Sequence, residues 1–324
     1  MDPLDKLADA LHGALGANAI GLSQPLARYT TLRVGGRADL VVVAKSVDAL
    51  HKAVLGAWES GVQCRVLGAG SNVLVGDAGI GGLVVLNRTR AITFCNSAVR
   101  AESGVILSTL ARQCVARGLA GLEWAVGIPG TVGGAVIGNA GAWGGNIALR
   151  LMRASILESD GTVHWWPVDR LQYGYRTSIL KRQQATPVLP ALEVSRARES
   201  ELSKKRPAVL EAEFSLLRGE RKALEARVAE LTARRRASQP PGASCGSVFK
   251  NPPSDYAGRL IEAAGLKGQR HGGAQISTVH SNFIITDGTA TAADVKALID
   301  LAAQTVQAQF GTKLELEIEL IGDW

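Results

Sequence analysis

GIPGTVGGAVIGNAGAWGG, residues 127–145, places eight glycines in nineteen positions and carries no charged side chain. Glycine loses more conformational freedom on folding than any other residue, so such a run needs a compensating contact. A row of bare backbone N–H groups can face a pyrophosphate without any lysine; ordinary tight turns are the other reading. A second glycine-rich segment, LGAGSNVLVG (67–76), follows an expected strand, and each segment holds an asparagine, Asn72 or Asn139, able to reach a ligand or cap a turn. Neither segment matches GxGxxG or GxxxxGK[ST], so a Rossmann dinucleotide site and a P-loop have no direct support.

At 324 residues the chain is long enough for two or three domains, and its 46% hydrophobic and 20% charged content is that of a folded globular protein. The net charge of +7 is compatible with nucleic acid, a membrane surface or small anions. Only 5% of residues are aromatic, and the densest basic run, Arg234 to Arg236, has none beside it, which argues against nucleic acid. Four scattered cysteines without CxxC point to free thiols in a reducing compartment. Five histidines without HExxH or any close pair argue against a metal site. The N-terminal leucines Leu4, Leu7, Leu11 and Leu15 recur at helical spacing, and no apolar run is long enough for a signal peptide or a membrane span. A cytoplasmic protein is expected.

Along the chain, DLVVVA (39–44), CRVLG (64–68) and GGLVVLN (81–87) read as strands, with a helix between the first two that Ser46 caps. Residues 90–180 are richer in strands, with RASILES and TVHWWPV after the glycine stretch. Residues 183–206 lack a clear period and read as an insertion. PAVLEAEFSLL (207–217) reads as a strand, followed by a helix with Leu224, Val228 and Leu231 on one face. Near the C-terminus, DYAGRLIEAAG ends a short helix at Gly265. NFIIT is a strand. Thr291 and Asp294 open a long helix that stops at Gly311, and LELEIELIG (314–322) alternates as a strand with Glu315, Glu317 and Glu319 on one face.

Gly242 to Gly246 satisfies GxSxG, but SQPP before it and VFKNPP after it are not the strand and helix that a nucleophile elbow needs. The adjoining GSVFKNP packs Ser247, Lys250 and Asn251 between two proline pairs, and YGYRTSILK (173–181) groups Tyr175, Arg176 and Ser178. Each loop suits an anionic ligand or a surface turn with polar caps.

Eight segments occur in a fixed order: TTLRVGG (30–36), LGAGSNVLV (67–75), GLEWAVGIPGTVGGAVIGNAGAWGG (121–145), YGYRTS (173–178), GSVFKNP (246–252), AGRLIEAAGLKG (257–268), HSNF (280–283) and LELEIELIG (314–322). Together they resemble the UDP-N-acetylenolpyruvoylglucosamine reductase family of flavoenzymes, in its shorter, type II-like branch, from about residue 22 to 322. The resemblance implies an α+β protein: an FAD-binding fold of the vanillyl-alcohol-oxidase type in two subdomains (1–88 and 89–235, with the insertion 183–206), then a C-terminal substrate domain (236–324). It implies FAD and NADPH as cofactors and the enolpyruvyl ether of UDP-N-acetylglucosamine as substrate, with hydride passing from NADPH to flavin to the enolpyruvyl β-carbon. A monomer acting on small molecules, with no nucleic-acid or membrane partner, is expected.

By the same resemblance Ser247 protonates the α-carbon, and Arg176 and Glu317 stabilise the negative charge that hydride addition leaves on the α-carbon and carboxylate. Arg176 suits a bidentate carboxylate contact, whereas Glu317 beside a carboxylate must be protonated or paired with a cation. Tyr175, Lys250, Asn251 and His280 are implied substrate contacts. The implied FAD contacts are Thr31, Arg33 and Gly35; Leu67, Gly68, Ala69, Gly70, Ser71 and Asn72; and Gly127, Ile128, Pro129, Gly130, Gly133, Gly134, Asn139 and Gly141. The N–H groups of the glycine stretch are expected to face the cofactor. Gly138 and Trp143 depart from the family's usual larger residue and tyrosine, and after EFSLLRGE there is no tyrosine-bearing loop of the kind one branch folds over the nucleotide. An oxidase of the same fold and a non-catalytic flavin or nucleotide-sugar binder are the rival readings; the YRTS, GSVFKNP and terminal glutamate set argues against both.

Overall fold

A computed structural model of the chain describes residues 2–184 and 205–324. The stretch read as an insertion, 183–206, lies outside them except at its edges. The contacts divide the chain into two units: Met1–Leu22, Asp39–Gly68 and Gly82–Leu231 form one, and Ser23–Ala38, Ala69–Gly81 and Thr232–Trp324 form the other. The expected subdomains 1–88, 89–235 and 236–324 are continuous stretches, whereas each contact unit is assembled from separated segments, with 23–38 and 69–81 grouped with the C-terminal residues.

That first unit has two cores. In one, the strands Arg37–Ala44, Ile80–Asn87 and Cys64–Leu67 lie side by side in that order, the last two parallel with Cys64 opposite Leu83. The helix Val47–Glu59 starts where the Ser46 hydroxyl accepts the Ala49 N–H at 3.1 Å. Its buried Leu50, Ala53, Val54, Ala57 and Trp58 recur at helical spacing and pack with Leu7 and Leu11 of the helix Pro3–Leu15. Around the second core runs an antiparallel sheet ordered Val163–Pro167, Leu151–Leu157, Ala208–Ser215, Ala98–Glu102, Ile92–Cys95. One face of it buries Val99, Ala101, Ala154, Ile156, Ala212 and Phe214 against the helices Leu107–Ala116 and Val132–Gly138. On the helix Arg221–Ser238, Leu231 is buried whereas Leu224 and Val228 are only half-buried, so the expected face is a narrow one.

The second unit is organised by the helix Ala292–Phe310, whose Val295, Leu298, Ile299, Ala302 and Val306 are buried beside the helix Ala257–Ala263. Thr291 and Asp294 form a reciprocal capping box, and Gly311 closes the far end at φ +65°. The Asp77 carboxylate accepts the Ala292 and Ala293 N–H groups at 2.8 and 2.9 Å. Three N–H groups of the first turn that helical geometry leaves unpaired are thus satisfied.

The expected strand 314–322 is corrected. Only Glu319–Ile321 is a strand, parallel to Val73–Val75, and Leu316 forms an isolated antiparallel bridge with Phe249. The segment changes neighbours between these two pairings. The Glu317 and Ile318 N–H groups converge on one acceptor, the Val248 carbonyl, at 2.9 and 3.5 Å, and a bend at 317–318 breaks the alternation. Among the described residues no helix is long and apolar enough to cross a membrane, and no cluster of three potential metal ligands occurs.

Candidate functional site

In the first unit, the glycine stretch opens with an extended turn, continues as the helix Val132–Gly138, and ends in a two-residue ladder of Gly141–Ala142 with Gly145–Asn146. Its glycines have different reasons to be bare. A Cβ on Gly133 would stand 2.9 Å from the Ser103 Cβ, one on Gly141 2.6 Å from the Gly145 carbonyl, and one on Gly145 2.2 Å from the Trp124 ring. These three positions are required by contacts within the protein. A Cβ on Gly134 would meet nothing nearer than the Thr131 hydroxyl at 3.9 Å, and Gly127, Pro129 and Gly134 are exposed.

The expectation that the stretch turns its N–H groups outward needs the same division. The Val132 and Gly133 N–H groups donate to the Val105 and Ser103 carbonyls, each at 2.8 Å, so these two are spent inside the unit. Asn139 likewise serves the fold: its Nδ2 donates to the Gly174 carbonyl at 3.0 Å and its Oδ1 accepts the Ala148 N–H at 3.1 Å. Gly138 has no neighbour within 4 Å of a Cβ, so a larger residue would fit there. Leu67 is buried, Ile128 packs against the second core, and a Cβ on Gly68 would collide with the Thr131 hydroxyl at 2.3 Å.

Tyr175 and Arg176 occupy the tip of a tight turn closed by reciprocal Gly174–Thr177 backbone bonds, with Arg176 at φ +56°. The turn is braced against the end of the glycine helix. Asn139 holds Gly174, the fully buried Ser178 hydroxyl donates to the Ile137 carbonyl at 2.6 Å, and the Tyr173 hydroxyl donates to Val136 at 2.8 Å. Burial pushes the Tyr173 phenol up, so it stays a neutral donor. The Arg176 guanidinium lies 5.3 Å from the Tyr175 ring, which is 56% exposed. Ser178 was grouped with Tyr175 and Arg176 in the sequence as part of a polar loop, whereas Tyr173 was not singled out; the contact of both with the glycine helix is a long-range one that spacing does not encode.

The second unit gathers the remaining candidates. Ser247 is half-buried at the start of a loop that runs beside the C-terminal segment: the Lys250 N–H donates to the Glu315 carbonyl at 2.8 Å, and the Glu317 N–H to Val248 at 2.9 Å. Lys250 Nζ lies 3.3 Å from the carboxylate of the exposed Glu315, a pair worth little by itself. Asn251 Oδ1 accepts the Ala257 N–H at 3.1 Å. Burial and then the Glu317 charge push the neighbouring Cys245 thiol up to about 12, so it is inert as a nucleophile. His280 Nδ1 accepts the Asn282 N–H at 3.2 Å, which leaves the proton of the neutral ring on Nε2. Burial lowers the His280 pKa and favours that neutral form.

Also in this unit, Asn72 Nδ2 donates to the Glu317 carbonyl at 3.1 Å, and the Asn72 carbonyl accepts the Glu319 N–H at 2.9 Å. Thr31 and Gly70 are joined by a 3.0 Å backbone bond. A Cβ on Gly70 would overlap the Tyr29 carbonyl, and one on Gly35 would press on Val75 at 2.7 Å. Arg33 is exposed at φ +57°, while Ala69 and Ser71 are half-buried.

Comparison with known proteins adds independent information. A model described as UDP-N-acetylenolpyruvoylglucosamine reductase, C-terminal domain, matches residues 238–321, and an FAD binding domain model matches residues 38–166. The chain is 42% identical over 305 residues to a UDP-N-acetylenolpyruvoylglucosamine reductase of Chloroflexus aggregans, covering 92% of this chain and 96% of the relative. It is 39% identical over 323 residues to that of Halalkalibacterium halodurans, covering 99% and 100%. The crystal structure of the reductase from Thermus caldophilus superposes with a TM-score of 0.73 at 34% identity, over 93% of this chain and 97% of that one.

Proposed function

The chain belongs to the UDP-N-acetylenolpyruvoylglucosamine reductase family, and from that premise we propose that it uses NADPH to reduce the enolpyruvyl ether of UDP-N-acetylglucosamine to the lactyl ether of UDP-N-acetylmuramate. It is an oxidoreductase of peptidoglycan precursor synthesis, and it carries an FAD-binding domain. The observation that carries this reading is the identity of 42% sustained over 92% of the chain.

The residues present fit an FAD. Gly127, Pro129 and Gly134 are each exposed and uncharged, and Gly134 is bare although the protein itself leaves room for a side chain. Bound FAD supplies hydride chemistry that no amino-acid side chain can perform. The chain's own residues must orient the substrate and stabilise charge. Hydride arriving at the β-carbon leaves negative charge on the α-carbon and its carboxylate, and Arg176 is the cation suited to a bidentate hold on that carboxylate. The turn that carries it is pinned through Gly174 and Ser178, which supports a preorganised role.

Ser247 Oγ–H then donates its proton to the α-carbon. Glu317 assists as a carboxyl that is protonated or held by a cation, since an ionised, unpaired one would repel the substrate. Asn251 has its Oδ1 engaged with Ala257, so its Nδ2 donor is the half offered to a substrate oxygen; neutral His280 offers Nε2–H in the same way. Lys250 can exchange its exposed Glu315 partner for a phosphate at small cost, and Tyr175 offers an exposed ring and hydroxyl.

The test is a purified protein with a flavin spectrum whose NADPH oxidation depends on the enolpyruvyl UDP-sugar. A colourless protein defeats the reading. A flavoprotein without substrate-dependent turnover reduces it to a binding role. Ser247→Ala is expected to leave flavin reduction by NADPH intact and to block reoxidation by substrate; reoxidation at the wild-type rate removes Ser247 as the acid.

A further inference from the structure

The two residues that follow Ser247 have every backbone polar group committed. On one side, the Val248 carbonyl accepts from Glu317. On the other side stands a single residue, Asn282. Its backbone carbonyl accepts the Val248 N–H at 2.8 Å, its Oδ1 accepts the Phe249 N–H at 2.9 Å, and its Nδ2 donates to the Phe249 carbonyl at 2.8 Å. Asn282 is 3% exposed and Phe249 2% exposed, so water does not substitute for these bonds.

The carboxamide therefore does what a peptide group does in a ladder, accepting and donating to the same residue. An aspartate would keep the acceptor and lose the donor, a leucine would lose both, and a glutamine would be one methylene too long. A structural anchor of the loop could be built more simply from a hydrophobic contact. A buried amide that reads both backbone groups of Phe249 fixes the loop in translation and in rotation, and so fixes the direction of the Ser247 side chain two residues away.

We propose that Asn282 is a positioning residue for Ser247, holding the serine hydroxyl at the orientation required for proton delivery. The proposal rests on the reading of Ser247 as the acid. A misplacement of about 1 Å at a reacting group can cost on the order of a hundredfold in rate, and that is the loss expected for substrate-dependent flavin reoxidation in Asn282→Asp. Flavin reduction by NADPH is expected to be unchanged. As pH falls the rate of this variant is expected to recover, because a protonated carboxyl regains a donor for the Phe249 carbonyl.

Two further measurements separate positioning from general damage. Amide hydrogen exchange over residues 247–251 is expected to accelerate in folded Asn282→Asp, whereas exchange in the helix Ala292–Phe310 stays as in the wild type. On a Ser247→Ala background, Asn282→Asp is expected to cause no further loss, since a group that is absent cannot be misplaced. Asn282→Ala serves as a second variant, expected to show the reoxidation defect without the pH recovery. Reoxidation near the wild-type rate in folded Asn282→Asp, unchanged exchange at 247–251, or a full additional loss on the Ser247→Ala background each overturns the proposal. If Ser247→Ala alone reoxidises normally, the acid assignment has failed and the positioning claim with it; if Ser247→Ala is blocked and Asn282→Asp is not, the positioning claim alone has failed.

Discussion

Gly145 and Gly134 stand eleven positions apart in one glycine-rich stretch, yet they are glycine for opposite reasons. A Cβ on Gly145 would lie 2.2 Å from the ring of Trp124, which is buried and anchored by its Nε1–H to the Gly121 carbonyl at 3.1 Å. Gly145→Ala is expected to destabilise the protein by about 1–3 kcal/mol, the usual cost of overpacking a rigid contact, read as a lowered midpoint in thermal unfolding. At Gly134 the protein leaves space, and alanine is the better helix former by about 1 kcal/mol. Stripped of flavin, Gly134→Ala is therefore expected to melt no lower than the stripped wild type, and the loaded variant to retain less flavin through gel filtration. Retention equal to wild type would mean that the exposed side of this helix is not the wall against FAD. The density of glycine was legible in the sequence. The assignment of each glycine to protein or ligand was not, because it depends on how closely Ser103 and Trp124 fold against it, which spacing does not encode.

At the scale of elements, helices with local stop and start signals were the most legible. Thr291, Asp294 and Gly311 mark the ends of the long C-terminal helix within the sequence, and the structure places the caps on those residues. Removing the hydroxyl in Thr291→Ala is expected to cost about 1 kcal/mol of stability, measured by denaturant unfolding. The Asp294 carboxyl is held below the usual carboxylate range, first by the Thr291 backbone N–H it accepts. A depressed native pKa contributes stability above the unfolded value, and the contribution disappears as pH falls through the folded one. Asp294→Asn is thus expected to be less stable than wild type near neutrality and to converge with it in acid; a difference that persists unchanged in acid would exclude the carboxylate as the cause. LELEIELIG was less legible. Its alternation predicts one straight strand, but the segment serves Phe249 with one part and Val73–Val75 with another, and a bend at 317–318 joins the two. Side-chain periodicity reports which face is buried, not how many neighbours share the backbone bonds. The same blindness hid Asn282, whose motif HSNF was visible while its bonds to Phe249 were not.

For the whole molecule, family membership was legible because it is carried by eight short segments in order, whereas the contact units were not. Segments 23–38 and 69–81 belong with the C-terminal third of the chain: the Thr286 hydroxyl donates to the Leu32 carbonyl at 2.7 Å, and Asp77 caps the helix beginning at Ala292. Such pairings, separated by more than two hundred residues, leave no local period. The residues proposed for FAD include Thr31, Gly70 and Asn72 as well as Gly127, Gly130 and Gly134 of the glycine-rich stretch. A ligand that binds only the folded chain stabilises it by RT ln(1 + [L]/Kd), about 2.7 kcal/mol at a hundredfold excess over Kd. Protein stripped of flavin is therefore expected to melt at a lower temperature, with a midpoint that climbs as FAD is added back and keeps climbing beyond saturation. Because only one FAD contact set is assigned, the rise should follow a single-site dependence, and Gly134→Ala should shift the curve to higher FAD without changing the midpoint of the stripped protein downward. A midpoint indifferent to FAD would contradict the assignment of these glycine-rich segments to the cofactor, whatever the enzyme's activity.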